Sequence, residues 1–489
     1  MDRTACDRPF PKIFPLDEPA AGLYLQRSGQ TSVHDESVQS RENRGMLPSC
    51  EPSIVKLESR TNFYGEIPNR HVRLSVCFVR ASCISVKCFK RNTLLPVLIE
   101  APLMATIVDR SDPLSSAEFV TVDPAMAALV DRRHRKIADW LKSHQFDAAL
   151  LTDPANQSWL SAGADFSGAE MSGPSTAMFV TPESRVIVCH NVASSRVFET
   201  CIGGMGFQIK ERPWYEPLEV LLADLCRSRK VVLDRFGPLG EARTEAFRNF
   251  RWPLDDHDVE QLKMGSKIIT HAVEATCRGW YPGKRECELA GEVSHRLLKH
   301  EVTPVRVQIL ADGRARRFRD WAWSEDETTS TVTIVAIGRY KGMHCGVSRT
   351  VLDGPLEGSF AEAWEKLALV LGTAMFFSLG STPLSQIWGK VARIYEKFGC
   401  ADEWEMAPQG ELLDYGRISA LITPQSKVAV PARGAIFWRP SIAMAMAGET
   451  VLATEEGARV LTHSGDWPTW DVEIKGSHVP VTAILSRSE

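Results

Sequence analysis

The sequence predicts an α+β protein in which a smaller α/β region precedes a larger α+β region, and three observations predict it. Helical and strand-like segments alternate from about residue 119 to residue 257. From residue 258 to residue 489 the order becomes helix pair, strands, helix pair, strands, a duplicated layout with no short tandem repeat. The chain has 489 residues, 44% of them hydrophobic. That is more than one core usually organises, since single cores rarely grow past about 250–300 residues.

The first region opens with "AMAALVDRRHRKIADWLKSHQF", where Leu129, Val130, Ile137, Trp140 and Leu141 recur at helical spacing and predict an amphipathic helix. "DAALLTD" reads as a buried strand, "PANQSWLSAG" as a short helix closed by Gly163, and "TAMFVTPESRVIVCHN" as two strands about a Pro-Glu-Ser turn. A helix near 216–227 and the strand "KVVLD" complete it before "RWPLDDHD". In the second region, "DVEQLKMGSKIITHAVEATCRGW" repeats Val259, Leu262, Ile269 and Val273 at three and four and stops at "YPGK". A second helix, "RECELAGEVSHRLLKH", leads into strands "VRVQIL", "TVTIVAIG" and "GVSRTVL". Helices "SFAEAWEKLALVLGTAMFFSL" and "SQIWGKVARIYEKFG" follow, then strands "GAIFWRPSIA", "ETVLATEEGARVLT" and "VPVTAIL". Residues 1–118 form an unassigned extension, in which the alternating patch "HVRLSVCFVRASCISVKCFKR" reads as either a hairpin or a poorly ordered segment.

Composition narrows the function. A net charge of −4, from 57 basic and 61 acidic residues, gives no field that gathers nucleic acid or anionic lipid. The 12 cysteines fall in no C-x-x-C pair or regular framework, which points to reduced thiols and an intracellular, cytoplasmic protein. The start of the chain has no apolar signal-like stretch, and "LLPVLIEAPLMATIV" is short for a bilayer span and interrupted by Glu100. No membrane partner is expected.

The segments "GWYPGKRECELA", "YKGMHCGVSRTVLDG" and "ETVLATEEGARVLT", with "RRHRKIADWLKSHQFDAALLTDPANQSWLSAG" before them, stand in an order that resembles the creatinase and Xaa-Pro aminopeptidase superfamily, the pita-bread fold of M24 peptidases. The resemblance covers about residues 119–489. It implies a creatinase-N-like α/β domain over 119–257, a pita-bread domain over 258–489 and a homodimer. A narrower resemblance is to a branch whose loop reads "EW-x-x-H-H-Q-G-G-x-x-G-Y-x-x-R-E" and whose later strand reads "a-W-N-P-S-I". The corresponding stretches here are "EWEMAPQGELLDYGRIS" and "FWRPSIA".

Metal-dependent members hold two metal ions with two aspartates, a histidine and two glutamates, whose bridged water is the nucleophile. By the resemblance, the first aspartate falls near Val335 or Ala336, the second on Gly346, the histidine in Ala407-Pro408-Gln409-Gly410, and the glutamates near Arg439 and at Gly448-Glu449. Joint replacement is physically reasonable, because buried carboxylates without their cation cost several kcal/mol each. The expectation is no metal and no other cofactor, with an always-charged arginine favouring an anion where cations would sit.

The candidate catalytic residues are His344, Asp320 and Glu411. His344 lies two residues before Gly346 on a strand and so shares its face, where a metal-free base can act; its alternative is a satisfied structural histidine. Asp320, in "FRDWAWSEDE", falls where the resemblance puts a histidine near substrate, its alternative being a solvated loop charge. Candidate substrate-binding residues are Arg439, Arg417, Trp438 and Trp323. The arginines offer a carboxylate clamp and the tryptophans a pocket wall, against the alternatives of core filling and of an ion pair from Arg417 to Asp414 or Glu411. Arg349 is expected to be a frame residue, and Cys345 is either a nucleophile or a buried inert thiol. Together these lead to a metal-independent hydrolase, or an enzyme of related elimination or rearrangement, acting on a small carboxylated amine or peptide-like molecule in a specialised-metabolic context. The alternatives are a retired enzyme that binds a peptide or protein and, last, a metallopeptidase with unusual ligands.

Overall fold

The computed structural model describes residues 123–166, 176–416 and 418–487, together with the backbone of two short strands, β1 (Glu66–Ile67) and β2 (Arg70–His71), which pair antiparallel. The chain divides into two units, residues 1–99 and 100–489. Apart from His71, the alternating patch of the N-terminal extension lies outside the described residues.

In the second unit, α1 (Pro124–Ser143) begins where Asp123 caps it, its carboxylate accepting from Ala125 N at 2.9 Å and Met126 N at 3.1 Å, with Pro124 preset for the first turn. It is followed by β3 (Ala148–Leu151), α2 (Pro154–Leu160), β4 (Thr176–Val180), β5 (Arg185–His190), α3 (Asn191–Arg196) and β6 (Gln208–Arg212). Next come α4 (Leu218–Cys226), β7 (Val231–Leu233), β8 (Glu241–Ala242) and α5 (Thr244–Phe250). The six strands form one mixed sheet in the order β6-β5-β4-β3-β7-β8. Gly163 ends the α2 turn at φ +103°, where a Cβ would strike the backbone of Lys341.

The larger part starts at α6 (Asp256–Arg278), whose capping box joins Asp255 and Asp258, and α7 (Glu286–Lys299). Then come β9 (Thr303–Ala311), β10 (Thr331–Tyr340), β11 (Met343–Leu352), α8 (Gly358–Phe376), α9 (Leu384–Lys397), β12 (Gly410–Leu413), β13 (Ala420–Leu421) and β14 (Ala435–Trp438). The chain finishes with β15 (Ser441–Ile442), β16 (Ala445–Met446), β17 (Glu449–Ala453), β18 (Ala458–Val460), β19 (Thr469–Ile474), β20 (Ser477–Thr482) and β21 (Leu485–Ser486). A four-stranded sheet, β21-β11-β10-β9, and a five-stranded sheet, β13-β12-β14-β17-β18, share one buried core containing Ile337, Val347, Leu413, Phe437 and Leu452. α6 packs on the outer side of the first sheet through residues such as Ile269 and Val273. α8 and α9 cover the outer side of the second, where Leu367, Leu371 and Trp388 share a core with Ile436, Trp438 and Val451.

Candidate functional site between the two sheets

The hairpin of β10 and β11 turns on Lys341 at φ +44° and Gly342 at φ +81°, two successive positive-φ residues that give a tight two-residue connection. Only glycine fits at 342, since a Cβ there would collide with the Ser158 hydroxyl and the Tyr415 ring. The turn fixes register: Val335 pairs with Ser348, Ile337 with Gly346 and Arg339 with His344. Alternation then sorts the side chains. Cys345, Val347 and Arg349 face α6, whereas His344, Gly346 and Ser348 face the space between the sheets. Val335, Ile337 and Arg339 share that inner face, as do Arg306 and Gln308, their ladder neighbours on β9. Register therefore puts Val335, not Ala336, on the same face as Gly346, whose direct partner is Ile337.

Across from Gly346 stands Phe437 of β14. A Cβ built on Gly346 would lie 2.8 Å from its ring, and one on Gly448 would lie 3.0 Å from the same ring. Thr450 closes the contact, its hydroxyl accepting from Gly346 N at 3.0 Å and donating to Gly346 O at 2.7 Å. Ser348 N donates to Gly448 O at 3.0 Å, so the two sheets meet at this point. Valine and two glycines supply no ligand atoms, arginine repels a divalent cation, and an aromatic ring stands against both glycines. The residues at the positions where the resemblance puts acidic ligands therefore do not fit a dinuclear metal centre. No cluster of three or more His, Cys, Asp or Glu side chains is arranged to hold a metal among the described residues. In the loop where the resemblance puts a histidine, the Gln409 amide is structural: its Oε1 accepts from Tyr395 OH at 2.7 Å and Ser441 N at 3.0 Å.

The inner face also carries buried polar groups. His344 is 6% exposed, and its Nδ1 lies 3.1 Å from the backbone oxygen of Asp414. A carbonyl only accepts, so Nδ1 carries a proton, and in the neutral form of the ring the lone pair is on Nε2. Asp414 is itself held: its carboxylate accepts from Arg251 Nε at 2.9 Å and Gly416 N at 2.5 Å. Arg251 reaches Asn156 Oδ1 at 2.5 Å, and Asn156 donates to Asp234 at 2.9 Å. A buried chain of hydrogen bonds thus runs from the six-stranded sheet to the carbonyl that orients His344. Glu411, 2% exposed, pairs in the ladder with Phe437 and shares its face, and Arg439, 5% exposed, continues that alternation beyond β14, its backbone N bonding Gln409 O at 2.8 Å.

The remaining candidates are dispersed. Asp320 is exposed and ion-paired with Arg306, which holds it at the rim of the inner face. The neighbouring Trp321 carbonyl accepts from Gln308 at 2.5 Å, and the Trp321 indole N–H reaches Glu286 at 3.2 Å. Trp323, in the same loop, is 49% exposed. Trp438 requires a correction. Its ring points away from the inter-sheet space into the α8 core and donates to Ser378 Oγ at 2.8 Å, so its role is to back the strand. Arg417, and with it the expected ion pair to Asp414 or Glu411, lies outside the described residues; Asp414 is paired with Arg251. Arg349 is a frame residue, bridging Glu274 at 3.0 Å and Glu449 at 3.1 Å. The Cys345 thiol lies against α6, where burial pushes its pKa up to about 12, the state of an inert thiol. Sequence reasoning passed over Arg306 and Arg339, the latter paired with Asp165 at 2.8 Å. Counting outward from Gly346 in steps of two, with the turn at Lys341-Gly342, was the signal that finds Arg339.

No protein-family model matches the chain, and no curated protein sequence does. Solved structures do. A prolidase from Pyrococcus horikoshii OT3 is 15% identical, with a TM-score of 0.59 over 68% of this chain and 98% of that one. Dipeptidase PepE from Mycobacterium ulcerans is 14% identical, with a TM-score of 0.59 over 69% of this chain and 96% of its own. The N-terminal domain of FACT complex subunit SPT16 from Cicer arietinum is 13% identical, with a TM-score of 0.53 over 70% and 97%. No helix among the described residues is long and apolar enough to cross a membrane. With its paired sheets and flanking helices, the chain has the α+β pita-bread fold of these prolidases and dipeptidases.

Proposed function

We propose that this chain is a metal-independent pita-bread enzyme, a hydrolase or an enzyme of related elimination or rearrangement, that acts on a small carboxylated amine or peptide-like molecule. The observation that carries the reading is His344, buried on the inner face with Nδ1 committed to the Asp414 carbonyl, which leaves Nε2 as the basic nitrogen of the neutral ring. In hydrolysis of a C–N bond, Nε2 takes a proton from water as the oxygen attacks the electrophilic carbon. The imidazolium then returns that proton to the leaving nitrogen as the bond breaks. Glu411 is the second acid or base. Arg439 receives the substrate carboxylate through its planar fork, Arg417 assists it, and Asp320 and Trp323 border the entrance.

Thermal-shift measurements with a panel of carboxylated amines and dipeptides test this. Stabilisation by at least one member is expected, lost in both Arg439→Ala and His344→Ala while the unliganded melting temperature stays close to wild type. Stabilisation by none, with stoichiometric capture of a peptide or protein instead, would favour the retired-enzyme reading. Stoichiometric divalent metal in the purified protein, required for turnover, would favour a metallopeptidase.

A further inference from the structure

We propose that the groove between α6 and α7 is a docking site for an acidic, amphipathic peptide segment of a partner protein. The groove has a volume of about 340 Å³ and lies on the helices' outer side, away from the inner face. On α6, Met264, Lys267, Ile268 and His271 follow the i, i+3, i+4, i+7 stripe of one helix face. From α7 come Arg296 and Lys299.

The charge in this groove is uncompensated. Among the described residues, no ion pair joins Lys267, His271, Arg296 or Lys299 to a carboxylate. The nearby acids are committed elsewhere: Glu260 to Lys263, Glu274 to Arg349 and Arg278, Glu288 to Arg285, Glu292 to Lys284 and Glu301 to Lys341. Arg296 and Lys299 gain from the C-terminal end of the α7 dipole, but Lys267 and His271 sit in the middle of α6, where that end effect does not reach. The chain as a whole carries −4, so the cationic groove is a local feature set against the overall field.

The apolar floor decides the class of occupant. Met264 is 43% exposed and Ile268 is partly buried beside it, a surface suited to an apolar side chain flanked by carboxylates. This is the helix-in-groove or short-segment mode, in which one or two apolar anchors supply affinity and surrounding charges supply register. A phosphate backbone would pair with the cations and leave the floor uncovered, so nucleic acid is the weaker fit.

Fluorescence anisotropy on the full chain tests the proposal, using a labelled two-heptad peptide with Leu at the core positions and Glu at the others. Saturable binding is expected, weakening as salt rises. Lys267→Glu combined with Lys299→Glu, both exposed positions, should weaken it at least about tenfold, and Met264→Asp should weaken it separately. Both variants should keep the wild-type melting temperature and any small-molecule stabilisation at the inner face. Absence of saturable binding, equal binding by the charge-reversed variant, equal binding of a Gln-for-Glu peptide, or tighter binding of a single-stranded oligonucleotide would each overturn it.

Discussion

The two faces of β11 make different use of neighbouring residues. On the α6 side, Arg349 is buried at 2% exposure and spans Glu274 and Glu449, with Thr462 O accepting at 2.5 Å and the Thr462 hydroxyl turned back onto Glu449. On the inner side, three and five residues earlier along the same strand, the chain has Gly346 packed on Phe437 and His344 tied to a backbone carbonyl. The first face is a closed ionic frame in which every charge depends on another. The second has no carboxylate beside its glycine, only a ring and a hydroxyl that satisfy the backbone. The ionic frame and the inner face are therefore separable at single-residue resolution. A frame charge resists replacement because its partners would be left buried and unpaired, while Gly346 has no buried ionic partner to strand.

The sharpest way to break this comparison is Arg349→Met. It leaves Glu274 and Glu449 in the interior without their counter-ion, and loss of one partner from such a network costs about 3–5 kcal/mol. Urea denaturation should show the loss as a lower midpoint, with most of it persisting in Arg349→Lys, because an ammonium does not reproduce a fork that serves several acceptors. A cost below about 1 kcal/mol, typical of an exposed pair, would mean that the α6 side is no more of a frame than the inner side.

A second test sharpens the contrast from the other face. Gly346→Asp places a Cβ 2.8 Å from the Phe437 ring, and overpacking of this kind costs typically about 1–3 kcal/mol. If Phe437 is what excludes the larger residue, Phe437→Ala should recover part of that cost in the double variant, a coupling that a double-mutant cycle isolates. Strict additivity of the two effects would show that Gly346 is small for a reason unrelated to the ring.

Legibility of the fold and of the site followed the range over which the physics acts. α6 was readable because Val259, Leu262, Ile269 and Val273 repeat at helical spacing and all four are buried. The β10–β11 hairpin was readable because Lys341-Gly342 breaks two apolar runs where positive φ is needed. β19 was passed over because only Val472 and Ile474 of its six residues are buried, leaving almost no alternation to detect. That His344 shares a face with Gly346 followed from strand period, but its tautomer did not. That depends on the Asp414 backbone carbonyl, 70 positions away in sequence, in a residue whose carboxylate Arg251 holds from 163 positions away. Phe437 filling the space between two glycines, and Trp438 turning to α8, depend on which face of β14 looks inward. Register with distant strands sets that, and local composition does not encode it.

The smallest expected effect is chemical rather than energetic. Cys345 and His344 are consecutive residues, yet the thiol lies on the frame side, fully enclosed against Gly265 and Ser266 of α6, with burial holding its pKa at about 12. At pH 8 that corresponds to a thiolate fraction of about one in ten thousand, and the thiolate is the form that alkylates. Peptide-level mass spectrometry after brief iodoacetamide treatment should find Cys287 and Cys400, both only partly buried, modified well ahead of Cys345. Labelling of Cys345 should rise only along the urea transition that Arg349→Met shifts, because the same packing of α6 on β11 protects both. Rapid alkylation of Cys345 under native conditions would show that α6 lifts from the strand without global unfolding, and the frame side would then be as open to chemistry as the face that bears His344.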